Sequence, residues 1–153
     1  MNDYEQAVKE FQEKCNKEID RRAERVKNLL TPDKFSVEQK QSVEFALCQQ
    51  NIDHWLENWV FVYEPRPRPK TLPFTHAEYQ DEVIKDLCEA IELGHDLRIE
   101  KSRDMRLTWT TLMVFLYCWQ FRGMTFLVGS RKAEEVDKIG DLDTLLPKIR
   151  FMI

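Results

Sequence analysis

From Tyr4 to Leu30 the apolar residues Tyr4, Val8, Phe11, Cys15, Ile19, Val26, Leu29 and Leu30 recur three to four positions apart. That spacing predicts one long helix over residues 1–30 with a thin buried stripe, its acidic and basic residues interleaved on the remaining faces. Thr31-Pro32-Asp33 breaks it, because the residue before proline is pushed out of the helical region and Pro32 can open a new first turn. Beyond Ser36, the apolar positions Val37, Val43 and Phe45-Ala46-Leu47 predict a second helix, and residues 51–59 a short third. Val60-Phe61-Val62-Tyr63 is a β-branched and aromatic run. The alternating prolines from Pro65 to Pro73 then force an extended, hydrogen-bond-poor connector that also carries Arg66, Arg68 and Lys70.

The second half changes period. Thr75-His76-Ala77-Glu78 spells a capping box, and Tyr79, Val83, Ile84, Leu87, Cys88 and Ile91 continue at helical spacing to Gly94, which is placed to end that helix. Leu97-Arg98-Ile99-Glu100 reads as a strand, Thr108 to Phe121 as a helix apolar on nearly every side, and Met124 to Gly129 as a second strand. Strand, helix and strand in that order predict a β-α-β unit in a parallel sheet covered on both faces. Residues 133–139 give another helical piece, and residues 143–153 a further one interrupted at Pro147.

The chain of 153 residues is 42% hydrophobic and 33% charged, which excludes a disordered or collagen-like polymer. With 23 basic against 27 acidic residues the net charge is -4, so any nucleic-acid contact must come from a local patch. Cys15, Cys48, Cys88 and Cys118 form no C-x-x-C pair and read as reduced core fillers. His54, His76 and His95 have no metal-ligand spacing among themselves. The apolar run over 107–121 follows Arg98, Lys101, Arg103 and Arg106, but it falls short of the roughly 20 residues that cross a bilayer.

Between the first predicted strand and the apolar helix lies Glu100-Lys101-Ser102-Arg103-Asp104-Met105-Arg106-Leu107-Thr108-Trp109. An ordinary P-loop would read G-x-x-x-x-G-K-[ST] here, and no glycine is present. The physical needs can be met otherwise: backbone N–H groups at the start of the helix offer an anion site, and three cations lie within one loop. The stretch resembles the deviant Walker A of tailed-phage large terminase subunits, whose loop begins with Lys-Ser. The resemblance implies a nucleotide-binding loop of Lys101, Ser102, Arg103, Asp104, Met105, Arg106, Leu107 and Thr108. In it Lys101 would contact phosphate, Arg103 would be the loop arginine, and Thr108 would help hold Mg2+. Arg106 stands where the family more usually has glycine. Phe126 to Arg131 is similar to the family's second strand and turn. Gln80, beside Tyr79, lies where the family places a glutamine that recognises adenine, and Trp59 through Pro65-Arg66 resembles the aromatic and Pro-Arg segment before it.

The fold class so implied is α/β, a partial P-loop NTPase with a parallel β-α-β unit, preceded by a helical N-terminal region. The expected plan is a helical region over 1–58, a Pro/Arg-rich connector over 59–74, and the first part of an ATPase domain over 75–153. The expected function is the N-terminal part of a DNA-packaging motor that takes ATP and Mg2+. Double-stranded DNA, portal protein, small terminase subunit and further copies of itself are its implied partners, and the host cytoplasm its place of work, without a membrane. The family adds a separate endonuclease domain. No acidic pair at a strand end is present for magnesium and water activation, so the chain alone is expected to hydrolyse ATP negligibly. The alternative is a non-catalytic helical interaction module with a basic docking loop. Without the family context, Gln80 reads as a surface polar residue and Trp109, Tyr117 and Trp119 as core aromatics.

Overall fold

The computed structural model describes residues 3–64, 70–102 and 105–153, and divides into two compact units, Met1–Phe74 and Thr75–Ile153. Arg66, Arg68, Arg103 and Asp104 lie outside the described residues. In the first unit, α1 (Asp3–Leu30), α2 (Val37–Gln50) and α3 (Ile52–Trp59) are followed by a hairpin of β1 (Phe61–Tyr63) and β2 (Thr71–Pro73). Ser36 caps α2 through a complete capping box: its hydroxyl accepts from Gln39 N at 3.2 Å, and Gln39 Oε1 accepts from Ser36 N at 2.9 Å. Asn51 ends α2 and also caps α3, its side chain accepting from the backbone of Asp53 and His54. β1 and β2 pair antiparallel with Val62 opposite Leu72.

Arg22 of α1, only 3% exposed, joins that helix to the hairpin. Its guanidinium donates to Val60 O at 2.5 Å and Phe74 O at 2.9 Å and lies 4.9 Å from the centroid of the Phe61 ring. A buried cation is tolerated there because its donors meet carbonyls at the hairpin's open end and the Glu18 carboxylate one turn earlier, 3.2 Å from Nε.

The second unit contains α4 (Glu78–Leu93), α5 (Leu107–Arg122), α6 (Ala133–Val136) and α7 (Leu145–Met152). α5 is its centre, with Trp109, Thr110, Leu112, Met113, Val114, Leu116, Tyr117, Cys118 and Phe121 buried. Because burial extends around the helix, its apolar residues cannot be assigned to a single face. α4 and α7 pack on it, and Trp109 meets Phe151 of α7 edge-on at 6.0 Å. Gly94 and Gly123 end α4 and α5 in the left-handed conformation, at φ 68° and 65°, which glycine adopts without a Cβ penalty. Pro147 does not interrupt α7: it is the third residue of the helix, where no intrahelical N–H partner is required.

The expected parallel β-α-β unit is overturned. The structure is mostly helical, 65%, and its sheet is the two-stranded antiparallel hairpin of the first unit. Neither Leu97–Glu100 nor Met124–Gly129 is a strand. Their β-branched and aromatic composition expresses how well side chains fit a pleated surface, but a parallel strand exists only through pairing with a non-local neighbour. Here Phe126 instead stacks on Phe115 of α5, centroids 4.4 Å apart and planes 8° from parallel, while Leu127 is 98% exposed. The helix between the two segments forms without them because its hydrogen bonds are local.

Candidate functional site: a cleft between the start of α4 and the loop before α5

α4 begins two residues later than Thr75-His76-Ala77-Glu78 suggested. Its N-cap is Ala77, which has no side-chain acceptor, and Gln80 takes the third position and closes half of a capping box by accepting from Ala77 N through Oε1 at 3.1 Å. Gln80 is therefore drawn inward, to 3% exposure, and its Nε2 donates to Thr110 Oγ1 at 3.1 Å. Thr110, 1% exposed, donates its hydroxyl proton back to Arg106 O at 3.3 Å. The neighbouring Tyr79 donates through its phenol to Met105 O at 3.3 Å. Two adjacent residues of the first turn of α4 thus hold the end of the loop and the first turn of α5.

These contacts border a cleft of about 160 Å³ lined among others by Tyr79, Gln80, Val83, Lys101, Met105 and Leu107. It is smaller than the roughly 300–1,000 Å³ of sites that enclose a whole ligand. Glu82 and Glu100 also face it, and Arg98 is paired with Glu100 at 2.5 Å. Two carboxylates beside one lysine give the cleft a mixed rather than a purely cationic lining.

Of the residues singled out in the sequence, Gln80, Lys101, Met105 and Leu107 share this cleft. Ser102 and Thr108 are exposed and are not part of its lining. Arg106 is the N-cap of α5 at φ 52° and ψ 18°, a left-handed conformation in a residue that is not glycine, and its own side chain makes no capping hydrogen bond. The backbone there adopts a geometry that glycine would adopt without strain. Thr110, which ties Gln80 to the loop, was missed in the sequence. Its one signal is a hydroxyl inside an otherwise apolar run, and that signal names no partner.

The first unit holds a different polar cluster. Glu44 accepts from Trp59 Nε1 at 2.8 Å and from Arg25 at 2.6 Å, and lies 3.0 Å from His54 Nε2. Burial raises the Glu44 carboxyl, but the hydrogen bonds from Arg25, Trp59 and His54 outweigh it and hold the group below its ordinary value. Burial also pushes the Cys48 thiol up, to about 11. Glu44, Cys48 and His54 offer three ligand atoms within 4.8 Å of one another. The Arg25 guanidinium, 3.0 Å from His54 Nε2 and hydrogen-bonded to Glu44, supplies the positive charge at this cluster, and a protonated thiol is a poor metal ligand. The cluster is an ion-pair hub of the first unit's core. None of the described helices is long and apolar enough to cross a membrane.

Comparisons with protein families, with characterised proteins and with solved structures find no match to this chain.

Proposed function

We propose that the second unit binds ATP with magnesium at the cleft and the adjoining loop, as the ATP-binding part of a DNA-packaging motor of the large-terminase kind. The observation that carries the reading is that Gln80 and Lys101, distant in sequence and singled out for opposite ends of a nucleotide, line one cleft. Phosphates would lie against Lys101 and the first turn of α5, whose backbone donors and dipole favour an anion. Thr108, exposed on that turn, is the hydroxyl available to a phosphate-bound magnesium. The parallel sheet has no part in this reading. Double-stranded DNA, portal protein, small terminase subunit and further copies of the chain are the partners that a packaging motor would engage.

Calorimetric titration with Mg·ATP tests the reading. Lys101→Ala should weaken binding about tenfold, the worth of one charge-assisted contact, and Arg106→Ala by less. Equal or larger loss at Arg106 would move the phosphate contact to the helix end of the loop. A second reading, a non-catalytic helical interaction module, is favoured by one observation, an apolar groove of about 260 Å³ between α5 and α7 lined by Phe115, Trp119, Phe126 and Ile149. Absence of any heat or melting shift with millimolar Mg·ATP would favour that module over the motor.

A further inference from the structure

The amide of Gln80 has a defined orientation. Ala77 N–H can only donate, so the atom 3.1 Å from it must be the amide oxygen. The Thr110 hydroxyl spends its single proton on Arg106 O, so at 3.1 Å it accepts from Gln80 Nε2. Both ends are anchored, and each keeps capacity: one further proton on Nε2 and one further lone pair on Oε1. Gln80 therefore lines the cleft with one donor and one acceptor position unspent. Adenine offers the complement, an acceptor at N7 beside a donor at N6, whereas guanine offers acceptors at both N7 and O6.

We propose that Thr110 is a positioning residue that fixes the Gln80 amide and so makes the cleft selective for adenine over guanine. The inference rests on the nucleotide reading above. Thr110 acts by occupying one Nε2 proton. Without it, the amide is held at one end only, and Nε2 can turn both protons toward the two guanine acceptors. Selectivity would then fall, whereas any loosening of the loop at Arg106 O would weaken ATP and GTP alike.

The test is titration of the full chain with Mg·ATP, Mg·GTP and inorganic tripolyphosphate, for the unaltered protein, Thr110→Val and Thr110→Ser. The unaltered chain should prefer ATP about tenfold, the scale of one two-point base contact. Thr110→Val, close in volume, should bring ATP and GTP to within about twofold and Thr110→Ser should restore the preference, while tripolyphosphate reads separately any loosening at Arg106 O, which shifts ATP and GTP alike and leaves their ratio unchanged. Should Thr110→Val fail to fold, Thr110→Ala replaces it, since alanine is favoured in a helix. A preserved ATP:GTP ratio in the folded Val or Ala variant overturns the inference, and leaves the nucleotide reading standing. Binding of tripolyphosphate with no preference between ATP and GTP in the unaltered chain overturns base selectivity alone. No binding of any of the three removes the nucleotide reading and the inference together.

Discussion

Arg106 carries a left-handed backbone at the join of loop and helix, φ 52°, where a Cβ is unfavourable by roughly 1 kcal/mol. The strain is held by its surroundings: Arg106 O accepts from both the backbone N–H and the hydroxyl of Thr110, at 3.1 and 3.3 Å. Arg106→Gly should therefore leave stability unchanged or raise it by up to about 1 kcal/mol, the relief of strain being offset in part by the greater entropy of glycine in the unfolded chain. Arg106→Val should destabilise by at least about 1 kcal/mol, since a β-branched side chain tolerates this region least. Urea melts of the two variants check the sign, and a destabilised glycine variant would show that the side chain contributes more than its backbone costs. At this scale the loop was legible as a cationic segment before a helix, with a position suited to glycine. The inward turn of Gln80 was not legible, because it depends on which residue becomes the N-cap of α4, and the Thr75-to-Glu78 capping-box pattern favoured a start two residues too early.

The elements divide by the range of their hydrogen bonds. α1, α2, α3, α4 and α5 lie within a few residues of where periodicity and punctuation put them, since each closes its own backbone ladder and its caps are written locally, as Ser36-Gln39 and Asn51 are. The two runs read as parallel strands had no such local closure. One strand of the hairpin, Thr71–Pro73, lies inside the stretch read as a proline connector, and its pairing with Phe61–Tyr63 is completed by Arg22 from α1. Packing among α1, α2 and α3 turns on the Glu44 cluster, which makes its stability pH-dependent. The Glu44 carboxyl is depressed in the folded chain from an ordinary value of 4.5. Its contribution is thus present above that pH and lost as the pH falls through the lower folded value. Acid titration followed by near-ultraviolet circular dichroism should show the first unit loosening below about pH 4.5, the ordinary carboxyl value, and Glu44→Gln should flatten that dependence. An unaltered acid midpoint in Glu44→Gln would assign the transition to other carboxylates.

At the scale of the whole molecule, apolar surface remains uncovered. Trp119 is 55% exposed, Leu127 98% and Ile153 78%, and the groove between α5 and α7 lies beside Trp119. Trp119 and Ile153 line that groove together, and contiguous apolar surface binds apolar probes. The native chain should therefore enhance the fluorescence of a hydrophobic dye, and Trp119→Lys should reduce that signal without lowering the melting temperature by more than about 2 °C, as a surface substitution does. Dye fluorescence that is the same in both proteins would place the uncovered surface elsewhere. By itself the sequence determined where α1 to α5 form, the breaks at Pro32 and Gly94, the buried character of α5 and the cationic loop before it. These follow from side-chain periodicity and local backbone chemistry. Only the tertiary structure decided that the β-rich runs stay unpaired, that Gln80 is anchored by Thr110, that Arg25 occupies the polar hub around Glu44, and that Gln80 and Lys101 share a cleft. Each of those depends on groups far apart in the chain meeting at hydrogen-bond distance, and no local pattern specifies which pair meets.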